Sequence, residues 1–344
     1  LTTGIIGYLS PRGLGTMTHD LRVQLGIQHQ LVPVDAGWAY VQEWATGNEI
    51  YLDNLHVQRE DLEIWKDVFG IDTIVSIETS YGDNTFKWAK ELGMRTCLIV
   101  MWESFNPHLQ AYKDVDLYIA PSFKAFQEIP FDSKRYIPYP VDTDLFKYRQ
   151  RSGLARTFIH NAGSGGLNGR KGTFEAINGF LAARNVCPGI RLIVRSQKPL
   201  EEIVPEMNLD DVPGIEVYGP SDRREELYED GDVIIYTSKY DGHALVTLEA
   251  MAAGLPVITT NAPPMNEFWP PHQRNLLVKV EKEQKLNLVN PHCMGNLVSI
   301  PDLTDKIIWC ANNDMSVISA LNRGIAEKEH SWNLLRERWK KVLL

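Results

Sequence analysis

The stretch Ser238-Lys-Tyr-Asp-Gly-His-Ala-Leu-Val-Thr-Leu-Glu-Ala-Met-Ala-Ala-Gly-Leu-Pro-Val-Ile258 governs how the rest of the chain is read. It follows an apolar run at 233–237 with the pattern of a strand, then passes through a polar loop into a helical pattern from about Ala244 to Ala253. Gly254 closes that helix and Pro256 opens the next strand. A strand, loop, helix and strand in this order form a βαβ crossover, the unit of a parallel sheet. Asp241 falls in the loop and Glu249 on the helix eight residues later, both able to face the carboxyl edge of the sheet. Carboxylates placed there accept hydrogen bonds from the hydroxyls of a sugar and a ribose, while amides near Ala244, Leu245 and Val246 meet a phosphate. Glu249 alone reads equally well as a solvated helix residue.

Upstream lies a second loop, His160-Asn-Ala-Gly-Ser-Gly-Gly-Leu-Asn-Gly-Arg-Lys-Gly-Thr173, between a strand at 157–160 and a helix at 174–183. Gly163, Gly165, Gly166 and Gly169, with Ser164 among them, free the backbone amides for an anion nest. Arg170 and Lys171 add two positive charges at a helix start whose dipole already favours anions. The loop is not a Walker motif, because no glycine-lysine pair there is followed by Ser or Thr. A diphosphate fits it; a flexible surface loop is the plain alternative. A weaker signal, Ser10-Pro-Arg-Gly-Leu-Gly-Thr16, follows the first strand and stops short of G-x-G-x-x-G. Gly13 and Gly15 there suit either an ordinary βα turn or a loop facing phosphate.

The same rhythm runs through the chain. Strand patterns at 3–9, 31–34, 73–77, 96–102, 117–120 and 136–137 alternate with helical ones, and after a polar stretch at 147–156 the alternation restarts at 157–160, 190–194, 215–218, 233–237 and 256–260. The expectation is α/β, with two Rossmann-like domains: an acceptor-side domain at 1–148 and a donor-binding domain at 149–330. The last segment, 331–344, offers Ser331 as an N-cap and sets Trp332, Leu335, Trp339 and Val342 on one helix face. That helix either packs on the nearest domain or returns to brace the first one.

Composition narrows the class. At 344 residues, with 44% hydrophobic and 23% charged, the chain has the profile of a globular protein of about two domains. Acidic residues outnumber basic ones 44 to 35, and the net charge of −9 argues against a broad nucleic-acid footprint. Cys97, Cys187, Cys293 and Cys310 form no CxxC or Cys/His cluster, which suggests reduced thiols, and no apolar run reaches membrane-span length. Cytoplasmic residence is therefore expected. Asp142-Thr-Asp144 matches a D-x-D metal pattern but is too short to carry weight, and no metal or other cofactor is expected. Glu103, beside Trp102 at the end of a strand, is a candidate acceptor-side residue.

The first stretch resembles the donor-site signature of retaining nucleotide-sugar glycosyltransferases of family 4, E-G-F-G-L-x-x-L-E-A-M-A-x-G-x-P-V-I. Asp241 stands for the first acid, Gly242 is kept, and His243 and Ala244 replace the aromatic and the second glycine. Leu245, Leu248, Glu249, Ala250, Met251, Ala252, Gly254, Pro256, Val257 and Ile258 follow in register. The resemblance extends to Lys171-Gly172, to Pro140-Val-Asp-Thr-Asp-Leu-Phe146 and, loosely, to Gly13-Leu-Gly15. It implies a GT-B fold with two Rossmann-like domains facing across a cleft.

The resemblance also implies a metal-independent, retaining, hexosyltransferase-like reaction. The donor is a UDP-, GDP- or ADP-linked sugar and the acceptor an unidentified hydroxyl, with a modified base in DNA not excluded. Lys171 is assigned to the diphosphate, Asp241 to the transferred sugar and Glu249 to the ribose, with Gly242, His243 and the amides of Ala244, Leu245 and Val246 around them. The arginine often found about six residues before the lysine is Gly165 here, so Arg170 or Arg195 is the candidate for a second cation. Alternatives are a GT-B nucleotide-sugar epimerase and a binding homologue without turnover.

Overall fold

The computed structural model describes residues 2–34, 41–166, 169–207, 212–221, 223–270, 276–286 and 288–344. The chain forms two compact units: unit 1 is Leu1–Tyr139, Leu288–Pro291 and Leu335–Leu344, and unit 2 is Pro140–Asn287 and His292–Leu334.

Unit 1 contains β1 (Thr3–Ile6), α1 (Gly13–Leu25), β2 (His29–Val32), β3 (Glu49–Tyr51), α2 (Arg59–Phe69), β4 (Thr73–Ile77), α3 (Thr85–Glu91), β5 (Arg95–Ile99), β6 (Leu117–Ala120), α4 (Phe123–Glu128) and β7 (Lys134–Tyr136). Its seven strands are all parallel, in the order β3-β2-β1-β4-β5-β6-β7. β1 and β4 are buried along their whole length, Thr3, Thr73 and Ser76 included, as central parallel strands are, which is why neither shows a regular alternation of apolar and polar residues.

Unit 2 contains β8 (Thr157–Gly163), α5 (Thr173–Val186), β9 (Arg191–Ser196), α6 (Leu200–Ile203), β10 (Ile215–Tyr218), β11 (Val233–Tyr236), α7 (Leu245–Ala252), β12 (Val257–Thr260), β13 (Leu277–Val278), a hairpin of β14 (Val280–Lys285) and β15 (Met294–Val298), α8 (Ile300–Asn312) and α9 (Ser316–Glu329). Six parallel strands run β10-β9-β8-β11-β12-β13. The order reverses direction between β8 and β11, and in open α/β sheets such a switch point opens a crevice at the carboxyl ends of the strands. The two loops singled out in the sequence leave these two strands.

The terminal helix α10 (Trp332–Leu343) counts with unit 1 from Leu335 onward. Its returning face carries Leu335, Trp339 and Leu343, all buried, with Leu343 in the place expected for Val342. Ser331 Oγ accepts the Leu334 amide, and Trp339 Nε1 donates to the Pro138 carbonyl at 3.1 Å. Thr3 and Arg95 donate to the carbonyls of Leu343 and Val342, satisfying acceptors that a helix end leaves open. The bracing reading of this helix is the one found.

The polar stretch 147–156 lies wholly inside unit 2, and its polarity has a local cause. Arg151 is 4% exposed and donates to the carbonyls of Arg149, Tyr228, Gly231 and Ala253. Burial, with Arg149 beside it, lowers its pKa to about 10. Among the described residues no helix is long and apolar enough to cross a membrane. The four cysteines are free thiols; burial pushes Cys97 up to about 11 and Cys310 up to about 12.

Candidate functional site

The glycine loop leaves β8 and returns at α5. Gly163, Gly165, Gly166 and Gly169 all adopt positive φ, a conformation that favours glycine. Part of the loop closes on itself: the amides of Gly165, Lys171 and Gly172 donate to Ala162, Gly165 and Gly169 carbonyls, so these three are engaged within the turn rather than held open for an anion. Gly172 is fixed twice over. Its φ is +65°, and a Cβ there would lie 2.1 Å from the Thr237 carbonyl oxygen of the neighbouring loop. Beneath it, fully buried His160 donates through Nδ1 to the Ile235 carbonyl and accepts the Thr173 hydroxyl at Nε2, 3.0 Å away. Burial lowers its pKa to about 4, against the Ile235 bond and with Lys171 adding to the effect, so the ring is a neutral support under the start of α5.

The two basic residues of this loop meet the acid of the next. Lys171 Nζ lies 3.6 Å and Arg170 Nη1 3.9 Å from Asp241 Oδ2, to which the Tyr236 hydroxyl donates at 2.6 Å. Oδ1 accepts the amides of His243 (3.2 Å) and Ala244 (2.8 Å), so the shorter acid turns back to cap the start of α7. Burial pushes its carboxyl up, but Lys171, Arg170, Tyr236 and the Ala244 amide outweigh it and hold the group well below the usual carboxylate range. Ala244 takes φ +65°, a conformation that favours glycine, immediately before Leu245 and Val246 open the helix. His243 is buried, edge-on to the Phe268 ring at 5.8 Å, and Gly242 is buried beside it.

Glu249 is not a solvated helix residue. It is 7% exposed, its Oε1 paired with Arg224 and its Oε2 accepting the Tyr228 hydroxyl at 2.5 Å. Arg224 also lies over the Phe146 ring at 5.4 Å. Arg195 pairs with Asp230 at 2.6 Å and lies over the Tyr218 ring, so of the two arginines considered it is Arg170 that joins the Asp241 cluster. Neither Arg224 nor Tyr228 carried a signal in the sequence, since a short 3₁₀ turn far from both loops delivers them. Tyr236 read simply as strand core.

Gly13, Gly15 and Glu103 belong to unit 1. Gly13 is the first residue of α1, where a Cβ would meet nothing within 4 Å, whereas a Cβ on Gly15 would lie 2.1 Å from the Ser10 carbonyl oxygen, so Gly15 allows a close backbone approach without a positive φ. Glu103 is 8% exposed just beyond β5, next to Trp102, whose ring lies under Lys124 and whose carbonyl accepts from Asn290. Asp142 caps its own turn by accepting the Asp144 and Leu145 amides. Among the described residues no group of three His, Cys, Asp or Glu is placed to hold a metal ion.

Residues 166–287 match the family model described as Glycosyl transferases group 1, so the resemblance read from the sequence is borne out over that segment. No curated protein matches the chain by sequence. Among solved structures, Anabaena HepE in complex with UDP and glucose is similar at TM-score 0.72 and 15% identity, over 100% of this chain and 99% of that one. Sucrose-phosphate synthase from Thermosynechococcus elongatus is similar at TM-score 0.69 and 15% identity, over 99% and 97%. The pneumococcal O-GlcNAc transferase GtfA in complex with UDP and GlcNAc follows at TM-score 0.60 and 16% identity, over 83% of this chain and 58% of that one. This chain thus spans less than two thirds of GtfA, and 59% of the matched chain of a GtfA/B complex. The two Rossmann-like sheets and the returning terminal helix are those of the GT-B fold.

Proposed function

We propose that the chain is a retaining, metal-independent glycosyltransferase that moves a sugar from a nucleoside diphosphate to a hydroxyl acceptor, working in the cytoplasm. One observation carries the reading: Arg170 and Lys171 converge on Asp241 between the starts of α5 and α7, at the switch point of unit 2. Cations and helix amides gathered there stabilise the charge that develops on a departing diphosphate. Glu249, with Arg224 and Tyr228 fixing its orientation, takes the ribose hydroxyls. Asp241 holds the two cations and the α7 amides in place beside the transferred sugar. Gly13 and Gly15 serve the donor from unit 1, and Glu103 serves the acceptor.

No enzymic nucleophile is required. The acceptor oxygen attacks the anomeric carbon on the face from which the diphosphate leaves. The carbon–oxygen bond to phosphate breaks, and its electron pair goes to the phosphate oxygen, which takes the acceptor's proton. HepE and GtfA were each solved with UDP, so UDP-sugars are the first donors to try.

The test is nucleotide release from UDP-, GDP- and ADP-sugars, with and without saccharide, lipid-linked and DNA acceptors. Release that depends on acceptor, with the anomeric configuration kept, supports the proposal. Release without acceptor and with an epimerised sugar points to an epimerase, and tight binding without release under every condition points to a binding homologue.

A further inference from the structure

We infer that Lys239 is a third cation of the phosphate subsite, brought beside the glycine loop by an ion pair with Glu175; the inference rests on the donor site proposed above. Lys239 stands in the loop after β11, two residues before Asp241, and its backbone is held from both sides. Its amide donates to the Arg170 carbonyl at 2.8 Å, and its own carbonyl accepts both the amide and the side-chain Nδ2 of Asn296 on β15, at 2.8 and 3.1 Å. The side chain turns back under the neighbouring loop. Nζ lies 3.3 Å from Glu175 Oε1, and a Cβ built on Gly169 would sit 3.4 Å from that ammonium. Any larger residue at position 169 would therefore lie against the lysine head.

Glu175 gives the arrangement its meaning. It stands in the first turn of α5 and is 5% exposed, and its Oε2 is buried with no hydrogen-bond partner among the described residues. A pair this enclosed and only half satisfied is a poor device for stability, since desolvation offsets most of its attraction. It is an effective device for holding an ammonium at one point of a loop. Arg170 and Lys171 share Asp241, and Lys239 is paired with Glu175, so three cations stand against two carboxylates around the loop and the cluster keeps a net positive charge for a diphosphate. Lys239 adds an ammonium beside Gly169 and the Arg170 backbone, at the end of the loop that leads into α5, where a phosphate gains most from the helix start.

The experiment measures calorimetric affinity for whichever of UDP, GDP and ADP the wild type binds, and for the matching nucleoside. Lys239→Gln is expected to weaken the diphosphate at least tenfold and flatten its salt dependence, with the nucleoside changed less than twofold; Lys239→Arg recovers part of the loss. Because the single variant leaves Glu175 buried without its partner, the double variant Lys239→Met/Glu175→Gln, checked for folding by thermal unfolding, is decisive. It removes both charges and leaves the sum over the cluster unchanged. Continued weak diphosphate binding in the double variant supports a direct cation, whereas wild-type affinity there overturns the inference and leaves Lys239 only neutralising Glu175. Failure of the wild type to bind any of the three diphosphates would instead remove the glycosyltransferase reading, and this inference with it.

Discussion

Beyond β8 and β11 of unit 2 the chain sets Arg170, Lys171 and Lys239 around Asp241 and Glu175, whereas beyond β4 and β5 of unit 1 it sets Glu78 and Glu103 among Tyr81, Trp102 and Tyr112. The Ser104 hydroxyl donates to Glu78 Oε1 at 2.9 Å, and both Glu78 and Tyr81 take positive φ, at 69° and 53°. Both sheets are parallel and both reverse order at a switch point, so topology brings loops to the same kind of edge in each unit. It does not decide what those edges bind. One gathers cations around two acids; the other sets two carboxylates among aromatic rings that are themselves buried.

The contrast breaks first at Lys171. Replacing it by Ala should lower kcat by 10²–10³, about 3 kcal/mol of transition-state stabilisation, while donor KM moves much less. Steady-state kinetics with an unchanged kcat would mean that the cationic edge is not where leaving-group charge is met. Glu249 comes next. With Arg224 and Tyr228 bound to it, Glu249→Ala leaves a guanidinium half-enclosed and should cost about 3 kcal/mol of stability in urea unfolding, along with nucleotide affinity. Glu249→Gln keeps an acceptor for Tyr228 and should cost less; equal stability of all three proteins would show that the pair does not form in solution.

Asp241 sharpens the comparison through pH. Its folded pKa lies below the unfolded value near 3.9, so the stability it contributes is complete well above pH 4 and is lost as the pH falls through about 4 and lower. Denaturation measured from pH 6 down to pH 3 should show an acid limb that flattens in Asp241→Asn, and catalysis between pH 5 and 8 should carry no titration from this group. A limb of the same slope in the variant would assign the acid sensitivity elsewhere. The smallest effect is expected at Ala244. Glycine relieves its left-handed backbone but removes a fully buried methyl, so Ala244→Gly should change stability by no more than about 1 kcal/mol, in the stabilising direction. A larger loss would show that packing of the methyl outweighs the backbone strain.

Much of the frame was legible because fully buried parallel strands announce themselves: the expected strand at 73–77 coincides with β4 to the residue. β3 was not, since Glu-Ile-Tyr at 49–51 is a short, partly exposed edge. Nor was the β14–β15 hairpin, whose first strand is mostly charged and exposed and so shows no apolar period. The ion pairing of Lys171 and Arg170 with Asp241 was not legible, since in the sequence the cations read as partners of the diphosphate and the acid as a partner of the sugar; it arises because the two loops leave the neighbouring strands β8 and β11. The partners of Glu249 did not follow, because Arg224 and Tyr228 reach it from a turn with no local pattern of its own. Leu343 takes the inward position expected for Val342 because four-residue steps from Leu335 through Trp339 keep the stripe on the buried face.

Gly172 and Thr237 touch with no slack: the carbonyl of one loop fills the volume a side chain would need on the other, and the Thr237 hydroxyl donates back to the Gly172 carbonyl at 2.8 Å. The glycine loop and the acid-bearing loop are thus geared together. Neither can yield without displacing the other, so a shift of the loop that carries Asp241 registers at once in the loop that carries Lys171. Saturation mutagenesis would read this as a position tolerating glycine alone, although residue 172 has no side chain with which to take part in the chemistry.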